Sequence, residues 1–598
     1  MLESGESPPV VAWRSDPSAR SKVYRREDLP GVLAYHWAPL TSGSRWFALW
    51  PLLLPFTLSN VAGFMTSAGR GWRAVVFRTA AVLQAVALTA TAAWWAWAGA
   101  LLVLDGVDLP DWVPGARRTW AGLFLGAVVM AVVVLAATYG ADGFERYRRR
   151  TWTRDQSWSP WGRHAFTDLA DARFYDNGRA HTARWCVHVL AVVLAGAGAV
   201  VWVCTGEGGT AAPMRPLGWL LVAGTAASVL TALVMVVAAG TRRAAGLGWR
   251  FLAPAVTIAA TVLLGGIVLS VCLWRVSIAE LPAGPLVIMY DAYGWAVGAA
   301  IVAVAACLVW QLMTPSPGER VRSPQRALPT SAGRLLARLS TTLGHLYVVV
   351  ATFAGTFLLA TIVTVLRNRH DLDGYRLGDT APVALARWTF VVLIGFLFVN
   401  VIRSRANPES LRRVGSIWDI LTFWPRTFHP FAVRCYAERA VPELQEVLDQ
   451  PERTQVVLLG HSQGSVLAYT ALRPLLSTAG GRYRVQDWAL VTVGCPLRAL
   501  YARAFPRYFT EDDFDAARAA LGGRWRNLFR FTDYVGRAVF VSDDAAASGA
   551  RGGDRWLPDP ETQGAPIAAH NRYWDDPMVR CEVRTVMQTT ESESGKHE

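Results

Sequence analysis

Charge is scarce in this chain. Only 17% of its 598 residues are Asp, Glu, Lys or Arg, while 53% are hydrophobic; a soluble domain carries closer to a quarter charged residues. Acid is scarcer than base, and 45 carboxylate residues against 59 lysines and arginines leave a formal net charge of +14. A continuous basic face is missing, because the arginines gather between apolar runs, which argues against a nucleic-acid partner and for a membrane. No Cys-x-x-Cys occurs, and the seven cysteines are odd in number. That excludes a disulfide framework and a zinc site, so reduced, buried thiols are expected, with neither metal nor cofactor. The first 45 residues carry Arg14, Arg20, Lys22, Arg25, Arg26 and Arg45 but no short apolar core of the secretory kind, which speaks against a cleavable signal peptide.

What is abundant is long apolar sequence. Runs at 79–104, 119–139, 185–204, 216–239, 251–274, 288–313, 343–366 and 382–402 reach the length of about 20 residues that a bilayer crossing needs. Trp120, Trp185, Trp219, Trp274 and Trp310 stand toward run ends, where an interfacial belt places them. The linkers alternate in charge: 140–184, 241–250 and 314–342 are rich in arginine, whereas 205–215 offers only Arg215 and 275–287 only Arg275. Basic linkers face the cytoplasm, so eight crossings predict a multi-pass protein of the cell membrane with both termini inside. His188, His345, Asp291 and Arg387 lie near the ends of these runs; they mark either a transport path or, as the simpler reading, side chains that snorkel to the interface. A further run at 46–65 is interrupted by Pro51, Pro55, Ser59 and Asn60 and is expected to be interfacial or re-entrant rather than spanning.

After residue 402 the apolar runs shorten and ordinary charge returns. The chain therefore divides into an N-terminal arm (1–45), an interfacial or re-entrant segment (46–78), a transmembrane region (79–402), a globular domain (403–590) and a disordered tail (591–598). Within the globular part, Val456-Val457-Leu458-Leu459 predicts a short buried strand, and Val466, Leu467, Tyr469, Leu472 and Leu475 predict a helix. Between them stands Gly460-His461-Ser462-Gln463-Gly464. A G-x-S-x-G turn between strand and helix lifts a serine hydroxyl out of the sheet at the positive end of the new helix. The two glycines are expected to permit the tight turn and close packing of helix on strand.

An activated serine needs a base, and the base needs an orienting acid. In the chain order Ser…Asp/Glu…His, two histidines follow Ser462: His570, and His597 in the polar tail. His570 is preferred. Asp533 follows the strand-like Trp525–Phe531 and is the favoured acid, with Asp543, Asp544 and Asp554 as competitors in a Gly- and Ala-rich stretch.

Segment 430–590 resembles the α/β-hydrolase fold of bacterial lipases and esterases. GHSQG matches the nucleophile turn, FRFTDYVG resembles the acid-bearing strand and loop, and HNRYWDDP resembles the histidine loop. The whole chain is similar to uncharacterised bacterial multispanning membrane proteins with a lipase-like C-terminal domain. The resemblance implies an α-helical polytopic bundle of about eight spans joined to an α/β-hydrolase domain, a Ser462–Asp533–His570 triad, and the Gln463 backbone N–H as an oxyanion donor. The implied activity is hydrolysis of lipid or other acyl esters, with thioesters a near variant. The rival reading is a membrane scaffold or transporter with a regulatory hydrolase-like domain. No HGGG-type loop occurs, so the second oxyanion donor has no assigned residue.

Three other segments bear on the site. SIWDILTFWPRTFHPF, with Trp418, Asp419, Trp424, Arg426 and His429, reads as a structural collar at the bilayer interface or as a lipid-facing lid. Cys495, in Gly494-Cys495-Pro496, reads as a packing cysteine, since no base is placed for it. Gly31–Trp37, between Pro30 and Pro39, is an orphan strand that either adds to the hydrolase sheet or packs on the collar.

Overall fold

A β-branched and leucine-rich run followed by a glycine starts the strand that organises the C-terminal half. The computed structural model describes residues 13–15, 22–26, 33–36, 50–65, 284–313, 339–367, 456–477, 488–530 and 572–594 continuously, most of 418–448, 533–540 and 553–558, and scattered positions elsewhere. In chain order the elements are β1 (Trp13–Ser15), β2 (Lys22–Arg26), β3 (Leu33–His36), α1 (Trp50–Met65), α2 (Gly284–Met313), α3 (Leu339–Arg367), α4 (Ala437–Leu448), β4 (Val456–His461), α5 (Gln463–Ser477), β5 (Trp488–Val493), α6 (Glu511–Ala520), β6 (Trp525–Phe529), β7 (Asp554–Trp556) and α7 (Pro577–Ser594). A π-helical turn, Leu497–Ala502, follows β5.

Strands β4 to β7 form a parallel sheet in the order β4-β5-β6-β7. Strand β5 is buried along its whole length, and its alternating side chains feed two cores. Trp488 and Leu490 join a large cluster with α4 and α5, whereas Ala489, Val491 and Val493 pack with Leu528, Tyr573, Val579 and Val586 under α7. The result is a layered α/β domain with helices on both faces, as a parallel sheet requires. Strand β4 departs from the expectation of a buried strand: Val456, Val457 and Leu458 are half-buried and Leu459 is 49% exposed. The reason is its place at the end of the described strand order, where only β5 pairs with it. Helix α7 runs to Ser594, so Glu591–Ser594, placed in the disordered tail by composition, continue a helix that began on the sheet.

The strand expected near residues 31–37 is present as β3, but its neighbour is β2, with Lys22 opposite His36, and β2 pairs in turn with β1. This antiparallel three-stranded sheet is separate from the parallel one. Local pairing closes short loops at small entropic cost, which favours it over a union with residues hundreds of positions away.

Helix α1 reveals why an apolar run contains Thr57 and Asn60. The Asn60 amide donates to the Pro425 carbonyl (3.0 Å) and its Oδ1 accepts from the His429 N–H (3.1 Å). Thr57 accepts from the Val433 N–H (3.2 Å). These side chains satisfy backbone groups of Pro425, His429 and Val433 that lie outside regular structure. The His429 Nδ1 accepts from the Phe431 N–H, so its Nε2 carries the hydrogen that meets Thr89 Oγ1 at 3.2 Å. One turn on, Phe64 stacks on Trp424 at 4.6 Å, and Phe505 and Tyr508 close in at 4.2 and 5.3 Å. Phe174, with Tyr175 against it, also reaches Trp424, and both belong with Leu169 to the same core. Trp424 and Phe423 are fully buried, so within the segment read as collar or lid these rings form a core joint between α1 and the α/β domain. With 16 residues, α1 is about 24 Å long, short of a hydrocarbon core of about 30 Å.

Among the described residues one stretch, Asp291–Trp310 of α2, is long and apolar enough to cross a membrane, with a mean hydropathy of 2.1. Ala292, Tyr293, Ala296 and Val297 of α2 pack with Phe357 of α3, and Trp295, Ile301, Val302 and Trp310 are exposed. A Cβ on Gly294 would collide with the Pro382 carbonyl, and one on Gly298 would touch Leu385 at 3.8 Å. Small residues one turn apart let helices cross closely where there is no hydrophobic drive between them. The expected run 343–366 falls within α3, whose apolar stretch Val348–Thr361 is shorter. The run 382–402 is described only at scattered helical positions, and the five runs from 79 to 274 lie outside the described residues except Thr89. Of the cysteines, Cys435 and Cys495 are buried, whereas Cys307 is half-buried and Cys581 exposed; all four are free thiols.

The joint at Trp424 sets a stability expectation. Phe64→Ala deletes a fully buried ring and should destabilise the protein by about 3–5 kcal/mol. Denaturant titration of the detergent-solubilised protein, followed by tryptophan fluorescence, measures it; a loss below about 1 kcal/mol would show that α1 is not part of this core.

Candidate active site

The turn after β4 is tight because of where its chain atoms must go. Ser462 has φ 53°, a conformation that costs a non-glycine residue energy and is retained where surrounding structure enforces it. Its N–H donates to the Val493 carbonyl at 3.0 Å, and its carbonyl accepts from the Ser465 N–H at 3.0 Å, which starts α5. A Cβ on Gly460 would stand 2.6 Å from Ser465 Cα, so Gly460 is required for helix to lie on strand. Gly464 differs from its expected role. A Cβ there would meet open space, so packing does not demand glycine, and the ground beside the serine is left clear.

Ser462, Asp533 and His570, the residues singled out in the sequence, come together at the carboxyl ends of the parallel strands. His570 Nε2 lies 2.7 Å from Ser462 Oγ, and His570 Nδ1 lies 2.9 Å from both Asp533 oxygens. Asp533 has no exposed surface, and a buried carboxylate must be supplied with donors. It has them: the Val535 and Gly536 N–H groups donate to Oδ1 at 2.8 and 2.9 Å, and the Tyr573 hydroxyl donates to Oδ2 at 2.7 Å. Of the competing acids, Asp554 is occupied elsewhere, accepting from Asn527, Val539 and Phe540. Asp543, Asp544 and His597 lie outside the described residues.

Several site residues carried no signal in the sequence reading. Tyr573 accepts from the Arg530 N–H, and the Arg530 guanidinium lies 4.4 Å over its ring and donates to Asp576 at 3.0 Å. Burial, then the negative charge of Asp533, pushes the Tyr573 pKa far up, so it stays a donor. Gly494, with φ 58°, leaves room for His570 and Asp533, and a Cβ on Gly536 would strike the Gly494 backbone. The glycine of Gly494-Cys495-Pro496, directly after a strand, was the readable clue. Cys495 itself is buried, its thiol pushed up to about 12 by desolvation, in keeping with packing.

His461 does more than its motif position suggests. Its Nε2–H donates to the His570 carbonyl at 3.1 Å, and the two rings lie 5.1 Å apart. Gln463, expected to act through its backbone N–H at the start of α5, also uses its side chain: Nε2 donates to the Tyr436 hydroxyl at 2.6 Å and Oε1 accepts from the Tyr501 hydroxyl at 2.9 Å. Among the described residues no group of His, Cys, Asp and Glu is arranged to hold a metal ion.

Comparison with protein-family models, curated proteins and solved structures returned no match. The C-terminal region is an α/β domain with a four-stranded parallel sheet and interleaved helices, and its family is unidentified.

Burial, followed by the neighbouring His570, holds the His461 pKa below its ordinary 6.5. As pH falls through 6.5 the unfolded chain gains a proton there that the folded chain refuses, so stability is full above 6.5 and declines below it. His461→Gln should reduce the stability difference between about pH 7.5 and about pH 5.5, read from thermal midpoints in detergent. An unchanged difference would remove His461 as its source.

Proposed function

We propose that the protein is a membrane-tethered serine hydrolase cleaving acyl esters at the cytoplasmic face. One observation carries this reading: a serine with a strained backbone, at the end of a parallel strand and the start of a helix, lies 2.7 Å from a histidine whose other nitrogen faces a fully buried carboxylate. That arrangement fits nucleophile, general base and orienting acid. His570 Nε2 takes the Ser462 proton as Oγ attacks the carbonyl, while Asp533 holds the Nδ1–H. The Gln463 N–H at the positive end of α5 faces the developing oxyanion. His570 then returns the proton to the departing alcohol, and water, deprotonated by the same histidine, cleaves the acyl-enzyme. Membership of the lipase and esterase group is part of this proposal, and oxygen esters and thioesters fit the chemistry equally.

Packing supports the placement. Leu169, Phe174 and Tyr175 belong to the arginine-rich linker 140–184, yet they pack in the core of the α/β domain with Phe64 of α1. Val350 of the expected run 343–366 packs against the same core, and Thr89 of the run 79–104 meets His429 beside it, which fits a core lying at the membrane face. Two expected crossings separate residue 65 from 169, and six separate 175 from 418, both even, so the multi-pass arrangement with cytoplasmic termini is self-consistent.

In the full-length protein, Ser462→Ala should abolish labelling by a serine-reactive fluorophosphonate and hydrolysis of short acyl esters, and His570→Ala should lower turnover by on the order of 10⁴ or more. Undiminished turnover in the Ser462 variant overturns the assignment. For topology, the exposed Cys581 is a native reporter: an impermeant maleimide should reach it only after cells are permeabilised, whereas a cysteine introduced in 205–215 should react in intact cells. The opposite pattern would put the site outside.

A further inference from the structure

Acyl transfer at a serine is served by more than one donor around the oxyanion. The Gln463 N–H supplies one. In serine hydrolases of the α/β type the second comes from a loop after an earlier strand of the sheet, but here the described strand order starts at β4 itself, and no HGGG-type segment occurs. Among the described residues the Gln463 side chain leads to a candidate for that donor.

The hydrogens around that amide can be counted. Each phenol has a single hydrogen to give. Tyr501 gives its hydrogen to Gln463 Oε1, and Gln463 Nε2 gives one to the Tyr436 oxygen. Tyr436 therefore keeps its own hydrogen. Turning the amide end for end would exchange the two phenols and still leave one hydrogen unspent. Tyr436 is 4% exposed and Tyr501 is wholly buried, so the spare hydrogen is largely cut off from bulk water, and no acceptor takes it among the described residues. A buried donor without an acceptor is a cost that a fold avoids unless something arrives to use it. Tyr436 is also held firmly: its N–H donates to Thr422, and its carbonyl accepts from Arg439 and Ala440 at the start of α4. Burial, then its neighbours Tyr501 and Asp419, keep it protonated. Gln463, which its phenol meets at 2.6 Å, directly follows Ser462 in the chain, and the next residue, Gly464, leaves open space where a side chain would begin.

We propose that the Tyr436 hydroxyl is the second oxyanion donor, a catalytic residue that the Gln463–Tyr501 pair aims at the carbonyl of the acyl substrate. This rests on Ser462 as the nucleophile.

The test uses the full-length protein with a short acyl ester and its thionoester. The sulfur of a thionoester is a poor hydrogen-bond acceptor, so the ester/thionoester rate ratio reports oxyanion donation. Tyr436→Phe should lower kcat on the ester by on the order of 10²–10³, leave KM nearly unchanged and shrink the rate ratio, while Tyr501→Phe should cost less than about tenfold by the same principle of indirect support. Placing 4-aminophenylalanine at 436 keeps a donor hydrogen and should keep the ratio within about threefold of the wild type, a check that stands even where the Phe variant does not fold. An unchanged kcat in Tyr436→Phe, equal losses on both substrates, or a collapsed ratio with the amino variant overturns the proposal. Failure of the wild-type Ser462 to label with fluorophosphonate is a different result, and removes the underlying reading instead.

Discussion

Trp424 has no exposed surface, and the rings that enclose it come from three distant stretches of chain: Phe64, Phe174, and Phe505 with Tyr508. This enclosure is the constraint on which the rest depends. Flat rings bury large areas and favour tilted and edge-to-face contacts, so one indole can tie together elements that share no hydrogen-bonded ladder. Asn60 and Thr57 complete the joint by supplying polar partners to backbone groups of Pro425, His429 and Val433. Through it, α1 becomes a wall of the α/β domain, and the π-helical turn that carries Tyr501 is held against Phe423 and Phe505.

From that wall outward, the site is built by successive close approaches. Gly460 brings α5 onto β4, and Gly494 and Gly536 bring the loops after β5 and β6 into contact. Tyr573 then spans from the Arg530 backbone to Asp533. Each of these steps trades backbone freedom for a fixed position of His570 between a carboxylate and a hydroxyl. The cation over the Tyr573 ring and the carboxylate beneath its hydroxyl orient one phenol from both ends, which leaves the buried acid little room to turn.

How much of this could be read in advance follows from distance along the chain. The strand, turn and helix around Ser462 were legible because all their determinants lie within about twenty residues and follow local periodicity. Asp533 and His570 were legible by chain order and by elimination. The rest was not, because it depends on contacts between distant segments: Tyr436 and Tyr501 flank Gln463 from 27 and 38 positions away, and Asn60 serves a backbone 365 positions on. The exposure of Leu459 was hidden for a related reason, since an apolar run looks the same at the edge of a sheet as in its middle. The N-terminal strand was seen and left with two open placements, and its neighbour β2 was not foreseen, because a period-two pattern does not say which strand it will pair with.

The sources of the Trp424 enclosure also set an order of events in biogenesis. Residues 58–64 and 169–175 leave the ribosome long before residues 418–540, and they can be covered only when the last third of the chain arrives. Contacts across such separations close slowly, after local structure has formed, and domains mature in the order of synthesis. The early segments must therefore wait with their aromatic faces uncovered while the intervening chain is synthesised. The α/β domain, once made, docks onto a surface prepared in advance, and a chain that stalls before that point carries the prepared surface but no serine. Maturation of the site is thereby coupled to completion of the whole polypeptide.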